Sequence, residues 1–131
     1  MIALDTKTVM IVEDDMDILE TLAQVLESEG YHVITKTNGR EALNYLQNAI
    51  PPSLILLDLM MPVMDGWQFR QEQLRSSKIA SIPVVIVSAD GHASQKAAVL
   101  GANDYLTKPV ELETLLDTVA RHCAKRPNST I

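Results

Sequence analysis

Cysteine, aromatic residues and long apolar runs are all scarce in this chain of 131 residues. The one cysteine, Cys123, cannot form an internal disulfide, which favours a reducing compartment such as the cytoplasm. No apolar run approaches the length needed to span a bilayer, and residues 1–12 lack the basic and apolar regions of a secretory signal. We therefore expect a cytoplasmic protein that does not enter a membrane.

An excess of basic charge is also missing. Lysine and arginine number 11 against 17 acidic residues, which gives a net charge of −6. This balance disfavours broad electrostatic attraction to nucleic acid, and we expect no direct binding to it. Apolar residues make up 47% of the chain, enough for the core of one ordinary domain. We predict a single domain over 1–131, with its core at about 7–124 and a short polar tail at 125–131.

Short β-rich apolar runs alternate along the chain with longer amphipathic segments. The predicted strands are 8–12, 31–35, 54–57, 84–87 and 104–107. The predicted helices are one that ends before Gly30 and others at about 39–48, 66–76, 93–100 and 111–124. This alternation predicts right-handed crossovers and a parallel sheet that is covered on both faces. The expected fold is a five-stranded, three-layer α/β/α sandwich.

Polar side chains follow the carboxyl ends of four predicted strands. They are Glu13, Asp14 and Asp15 after the first strand, Asp58 after the third, Ser88 after the fourth, and Thr107 and Lys108 after the fifth. In open α/β sheets, ligands bind outside this edge of the sheet. We therefore expect these side chains to lie near one another.

The residue types at this edge indicate a particular chemistry. Close carboxylates raise a pKa or recruit a cation, and several oxygens with room for water suit Mg²⁺. Lys108 and Ser88 suit a tetrahedral anion held beside the metal. The combination indicates phosphoryl transfer onto a carboxylate, with Asp58 as the nucleophile. Each residue alone also has an ordinary explanation, such as a helix N-cap for Asp15, and it is their conjunction that favours a site.

Four segments carry a resemblance to a known family. They are VMIVEDD at 9–15, LILLDLMMPVMDG at 54–66, IPVVIVSA at 82–89 and GANDYLTKPV at 101–110. In this order and spacing, the chain resembles the receiver domain of two-component response regulators, of the single-domain, chemotaxis-regulator-like kind. The resemblance spans nearly the whole chain. It implies a flavodoxin-like, doubly wound sheet with strand order 2-1-3-4-5.

The family's metal-binding and acceptor residues match residues of this chain. The resemblance implies that Glu13, Asp14, Asp58 and the backbone carbonyl of Met60 bind Mg²⁺, which Mn²⁺ or Ca²⁺ can replace in crystals. Asp14 would be a direct ligand, and Glu13 would act through water. Asp58 would be the phosphoacceptor.

The family's switch residues also find matches. Ser88 matches the hydroxyl that moves to bind the phosphoryl group, and Lys108 matches the lysine that pairs with its oxygens. Tyr105 matches the aromatic residue that then rotates inward. Pro109 matches a proline whose bond from the preceding lysine is cis in the family, in line with the confinement of cis bonds to X-Pro.

Two features depart from the commonest family pattern. The interval from Ser88 to Lys108 is shorter than in many relatives, and the shortening is expected around DGHASQ at 90–95. This affects the placement of the fourth helix and the choice of partner. Met60 and Asp90 occupy the two variable positions that tune dephosphorylation in the family.

The resemblance implies a signalling phosphoacceptor and not an enzyme. A sensor histidine kinase or phosphotransfer protein would phosphorylate Asp58, and the surface of the fourth helix, fifth strand and fifth helix would change to engage a downstream protein. We expect a monomer or a weak dimer through the fourth and fifth helices. We favour a single-domain regulator, and the alternative is a module cut from a larger regulator or hybrid histidine kinase.

The sequence lacks the residues that two other functions would need, and its histidines do not form a metal-binding pattern. A magnesium-dependent phosphatase with an aspartyl nucleophile would need an acid two residues after Asp58, where Met60 stands. A nucleotide or flavin binder would need a glycine-rich loop after the first strand, where EDDMD stands. The histidines lack metal-ligand spacing, and we expect exposed or capping roles for His32, His92 and His122.

Overall fold

The computed structural model of the chain describes residues 6–89 and 91–124. The predicted role of Asp90 and the predicted tail 125–131 lie outside these residues. The strands are β1 Thr8–Val12, β2 His32–Lys36, β3 Leu54–Asp58, β4 Val84–Ser88 and β5 Asp104–Thr107. The helices are α1 Met16–Ser28, α2 Gly39–Asn48, α3 Gly66–Arg75, α4 Ala93–Leu100 and α5 Leu112–Ala124. Within the described ranges, none of the helices combines the length and the apolar character needed to cross a membrane.

The five strands form one parallel sheet in the order β2-β1-β3-β4-β5, which confirms the predicted fold class. The chain runs outward from β1 to β2 and then returns to place β3 on the other side of β1. The topological switch point therefore lies between β1 and β3, where this class of fold binds its ligands.

Each face of the sheet carries its own hydrophobic cluster. Alternate residues of β1 point to opposite faces, so that Val9 and Ile11 join one cluster while Met10 and Val12 join the other. The first cluster includes buried apolar residues of α1 and α5, and the second includes buried apolar residues of α2, α3 and α4. Two helices thus cover one face and three cover the other, which completes the three layers.

Short polar side chains begin the first three helices. Asp15 accepts hydrogen bonds from the backbone N–H groups at the start of α1, and Asn38 does so for α2. Asp65 begins α3 in a reciprocal capping box with Gln68. The predicted caps at Asp15, Asn38 and Asp65 are confirmed.

The expected exposed or capping role is wrong for His122. This side chain is buried, and its Nε2 lies 2.9 Å from Oδ2 of Asp104. Its burial follows from the packing of α5 against β5, which places the acid of the strand opposite the imidazole. His32 and His92 are exposed, as predicted, and the neighbouring Cys123 is buried.

Candidate functional site

The ends of β1, β3 and β5 bring three acids and one lysine together. Carboxylate oxygens of Glu13, Asp14 and Asp58 lie within 4.8 Å of one another. The Nζ atom of Lys108 lies 2.9 Å from Oε1 of Glu13 and 3.5 Å from Oδ1 of Asp58. Residues that are far apart in the sequence thus meet at the switch point of the sheet.

The acids of this cluster differ in burial. Glu13 and Asp58 expose only 2% and 5% of their surface, whereas Asp14 is exposed. The cluster therefore has a desolvated floor and an open side through which a cation or a small anion can enter. These three acids could hold a metal ion, and a set of hard carboxylate oxygens with access to water suits Mg²⁺.

Backbone hydrogen bonds fix the two buried acids. The backbone N–H of Glu13 donates to the carbonyl of Lys36, and its carboxylate accepts from the backbone N–H of Asp15 at 3.2 Å. The carboxylate of Asp58 accepts from the backbone N–H of Met60 at 3.4 Å. The Met60 side chain points into solvent, with 76% of its surface exposed, so only its backbone belongs to the site.

The electrostatics of the cluster oppose ionisation of Asp58. Burial and the nearby charge of Glu13 raise the pKa of Asp58 to about 7, against the opposing effect of Lys108. Burial pushes the pKa of Lys108 down, but its hydrogen bond with Glu13 and the charge of Asp58 outweigh that effect and raise it. Lys108 therefore stays protonated. A cation bound beside Asp58 would favour the charged form of its carboxyl group.

Ser88 and Lys108 are joined by the pairing of β4 with β5. Ser88 is buried and is the last residue of β4. It directly follows Val87, which is the register partner of Asp58 on β3. The backbone N–H of Lys108 donates to the carbonyl of Ser88 at 2.9 Å. The peptide bond from Lys108 to Pro109 is cis. The serine and lysine thus flank the site from adjacent strands.

Tyr105 lies away from the acids, on the outer edge of the sheet. It occupies β5 opposite Ile86, and 42% of its surface is exposed. Tyr105 is therefore half-exposed on the edge strand and is not part of the acidic cluster.

The loop from β3 to α3 contains a close contact that sequence reasoning missed. A Cβ atom on Gly66 would lie 2.5 Å from the carbonyl oxygen of Asp58 and 2.8 Å from Cα of Leu59. The backbone N–H of Gly66 donates to the carbonyl of Leu59 at 3.0 Å. Glycine is thus required where α3 begins against the end of β3, and the sequence signal for this was only the D-G pair after the strand.

Comparison with known proteins places this geometry in a family. A family model described as the response regulator receiver domain matches residues 9–120. Protein PilH of Pseudomonas aeruginosa is 34% identical over 113 residues, which cover 85% of this chain and 93% of PilH. Response regulator GtcR of Aneurinibacillus migulanus is 36% identical over 88% of this chain, but the match covers 46% of GtcR. The chain thus spans about half the length of several curated relatives that it matches.

Solved structures agree with the sequence relatives. A putative response regulator from Chloroflexus aurantiacus has a TM-score of 0.84 and 32% identity, covering 92% of this chain and 99% of that one. The chemotaxis response regulator CheY4 of Vibrio cholerae has a TM-score of 0.82 and 32% identity, covering 89% of this chain and 98% of that one. The likeness therefore extends to sequence as well as fold, over nearly the full length of both structures.

Proposed function

Because this chain belongs to the response regulator receiver domain family, we propose that it is a phosphoacceptor in which Asp58 takes a phosphoryl group from a histidine kinase or phosphotransfer protein. Receiver domains are signalling modules rather than classical enzymes. The observation that supports the proposal is a buried Asp58 that shares Lys108 with Glu13 beside an exposed Asp14.

In the proposed reaction, an ionised oxygen of Asp58 attacks the phosphorus of a phosphohistidine. The new O–P bond forms as the donor's N–P bond breaks. Mg²⁺, held by Asp14, Asp58 and the carbonyl of Met60, with Glu13 acting through water, would neutralise charge on the phosphoryl oxygens. Lys108 donates from its ammonium to the same oxygens, and it is already within reach of Asp58.

The proposed switch follows from the position of Ser88. Its hydroxyl donates to a phosphoryl oxygen, and Tyr105 turns inward to fill the space left by that movement. The surface formed by α4, β5 and α5 then changes for a downstream protein. This is a shift between two packings, driven by their different contacts with the phosphoryl group.

A groove beside the site suits a protein donor. A cavity of about 500 Å³ lies next to Lys108 between α1 and the segment that follows β5. Ile18, Leu22, Pro109 and Val110 supply apolar parts of its lining. We propose that the phosphodonor protein rests on this groove while its phosphohistidine reaches Asp58.

The proposal also covers the setting in which the domain acts. We propose one receiver domain over residues 1–131 that acts in the cytoplasm without binding nucleic acid, as a monomer or a weak dimer through α4 and α5. The match over 93% of PilH supports a single-domain regulator. The match to about half of GtcR supports the alternative, a receiver module of a larger regulator or hybrid kinase.

One labelling experiment tests the acceptor. The chain is incubated with acetyl phosphate and Mg²⁺, and intact-mass spectrometry is expected to show one added phosphoryl group. Asp58→Asn should lose the adduct, whereas Asp65→Asn, at the other end of the same loop and able to keep its helix cap, should retain it. Equal labelling of Asp58→Asn and the parent chain would show that Asp58 is not the acceptor. Sustained turnover of a generic phosphate ester would instead indicate the phosphatase.

A further inference from the structure

Arg70 is a buried cation that the proposed phosphoryl transfer does not use. Only 5% of its surface is exposed, and burial lowers the pKa of its guanidinium. Its Nε donates to the carbonyl of Leu100 at 3.0 Å and its Nη2 to the carbonyl of Gly101 at 2.7 Å. Across residues 6–89 and 91–124, no carboxylate forms an ion pair with it.

The C-terminal end of α4 supplies the partial negative charge that faces the guanidinium of Arg70. Gly101 has a φ of 65°, and it donates to Ala98 while Ala102 donates to Ala97, so that a Schellman turn closes the helix. The carbonyl of Leu100, the last residue of α4, carries part of the partial negative charge of the helix C-terminus, and the carbonyl of Gly101 follows directly after it. Arg70 neutralises that charge with two directed hydrogen bonds rather than with an ion pair.

Gln73 holds the guanidinium in its orientation. Its Oε1 accepts from Nη1 of Arg70 at 2.7 Å. Its Nε2 donates to the carbonyls of Ile79 and Ile82 at 3.0 and 3.1 Å, and its side chain is fully buried. Arg70 is therefore fixed to α3 and to the segment before β4 as well as to α4.

The other end of α3 is fixed to the acceptor strand. Gly66 begins the helix in contact with the backbone of Asp58 and Leu59. One short helix thus contacts the end of the acceptor strand at its first residue and, through Arg70, the last residue of α4. The first residue of α4 instead follows Ser88 through the segment 89–92.

We propose that Arg70 is a positioning residue that anchors the C-terminal end of α4 to α3, so that the phosphorylated state moves the N-terminal half of α4 about a pivot at Gly101. The inference rests on the proposed function, because phosphorylation of Asp58 is the trigger. A planar guanidinium that donates to two carbonyls fixes the rotation of the helix as well as its distance, which an apolar side chain of the same volume does not do.

The anchor is tested first without phosphate, by amide hydrogen exchange measured by NMR. In Arg70→Met, the amides of Gly101 and Ala102 are expected to exchange about tenfold faster or more, while amides in the middle of β3 keep their rates. The control is Arg75→Met, because Arg75 lies on the same helix but is exposed and pairs with the exposed Glu72. No change in either variant, or a uniform increase at all amides in Arg70→Met, would overturn the anchor.

The pivot is tested next in the phosphorylated protein. In the parent chain, phosphorylation is expected to change the amide chemical shifts of Ala93–Lys96 and to leave those of 97–102 constant. Chemical shifts are used here because the first amides of a helix lack intrahelical partners and exchange fast in any state. In Arg70→Met, the change is expected to spread over the whole helix. Arg70→Lys keeps the charge but has a single donor nitrogen, so we expect an intermediate effect from it, and it also serves if the methionine variant does not fold.

The two possible failures are distinguishable. If the parent chain takes up no phosphoryl group in the mass spectrum, the proposed function fails, and the pivot loses its trigger. The comparison of the unphosphorylated variants still decides whether Arg70 anchors α4. If the phosphorylated parent chain changes equally over 93–102, the pivot is wrong even though Asp58 is the acceptor.

Discussion

At the scale of single residues, the protonation of Asp58 links stability to pH. Burial and Glu13 raise its pKa to about 7 in the folded state, whereas the unfolded carboxyl ionises near its usual value of about 4. Between these values, the folded state holds a proton that the unfolded state has lost. The contribution of Asp58 to stability therefore falls as pH rises from about 4 to about 7, and it stays low above that window.

Replacement of Asp58 by asparagine is expected to remove this dependence. In Asp58→Asn without metal, the free energy of unfolding at pH 8 should rise by roughly 2 kcal/mol or more, because position 58 no longer buries a carboxylate next to Glu13. The gain should shrink to within about 0.5 kcal/mol at pH 4, where the Asp58 carboxyl is protonated in the folded state and about half protonated in the unfolded state. Urea unfolding in EDTA across this pH range measures the difference. A gain that does not vary with pH would contradict the burial argument.

His122 and Arg121 both contact Oδ2 of Asp104, but the two side chains differ in burial. His122 is buried, whereas 46% of the Arg121 side chain is exposed. His122→Phe should lower the free energy of unfolding by about 1 to 2 kcal/mol, because it removes a buried hydrogen bond. Arg121→Met should cost clearly less than His122→Phe, because water screens an exposed pair. Equal losses in urea unfolding would show that burial does not decide the strength of these contacts.

Sequence reasoning identified residues whose position depends on strand ends alone. The proximity of Asp58 and Lys108 could be predicted from the sequence, because the carboxyl ends of parallel strands lie at the same edge of the sheet. The burial of His122 could not be predicted, since it depends on which residue of β5 faces the last turns of α5. Arg70 was missed for a similar reason. An arginine on an amphipathic helix is ordinarily exposed, and the carbonyls that it contacts lie 30 or 31 residues further along the chain.

At the scale of elements, the start of α3 is the most constrained junction near the site. In Gly66→Ala, the added Cβ would meet backbone atoms of Asp58 and Leu59, which can give way only if the acceptor strand shifts. We expect a loss of about 2 to 3 kcal/mol in the free energy of unfolding and slower phosphorylation by acetyl phosphate.

Gly91→Ala is the matched control for that change. A Cβ on Gly91 would have no atom within 4 Å, so stability should stay within about 0.5 kcal/mol of the parent chain. Urea unfolding measures both variants. If Gly66→Ala were as stable as Gly91→Ala, the close approach of α3 to the acceptor strand would be wrong.

The elements themselves were largely predictable, because short apolar strands and amphipathic helices have different periods. β2 lies at His32–Lys36, one residue later than predicted, because both ends of this edge strand are polar or half-exposed and give a weak pattern. The strand order did not follow from periodicity. It came from the family resemblance, since alternation alone predicts parallel pairing but not which strands are neighbours.

At the scale of the whole molecule, metal binding is expected to raise stability. An ion that binds only the folded state adds about 1.4 kcal/mol when its concentration is tenfold above the dissociation constant. Asp14→Asn should abolish this rise while changing the metal-free stability little, because Asp14 is exposed. Thermal unfolding over a Mg²⁺ series measures the effect.

Asp117→Asn is the control for the metal experiment, because it removes an exposed acid on α5 at a distance from the cluster. It should keep the full rise in stability with Mg²⁺. A rise that persists in both variants would indicate a general effect of divalent ions on an acidic protein rather than binding at the cluster.

The burial of Cys123 makes this domain well suited to optical measurement of helix movement. Thiol-reactive dyes attack exposed thiols first, so a cysteine introduced at the exposed Gln95 of α4 would be labelled ahead of Cys123. Trp67, the only tryptophan, lies on α3 and can act as the donor for energy transfer to that dye. The distance between the two helices can thus be followed in real time while a phosphoryl group arrives and leaves.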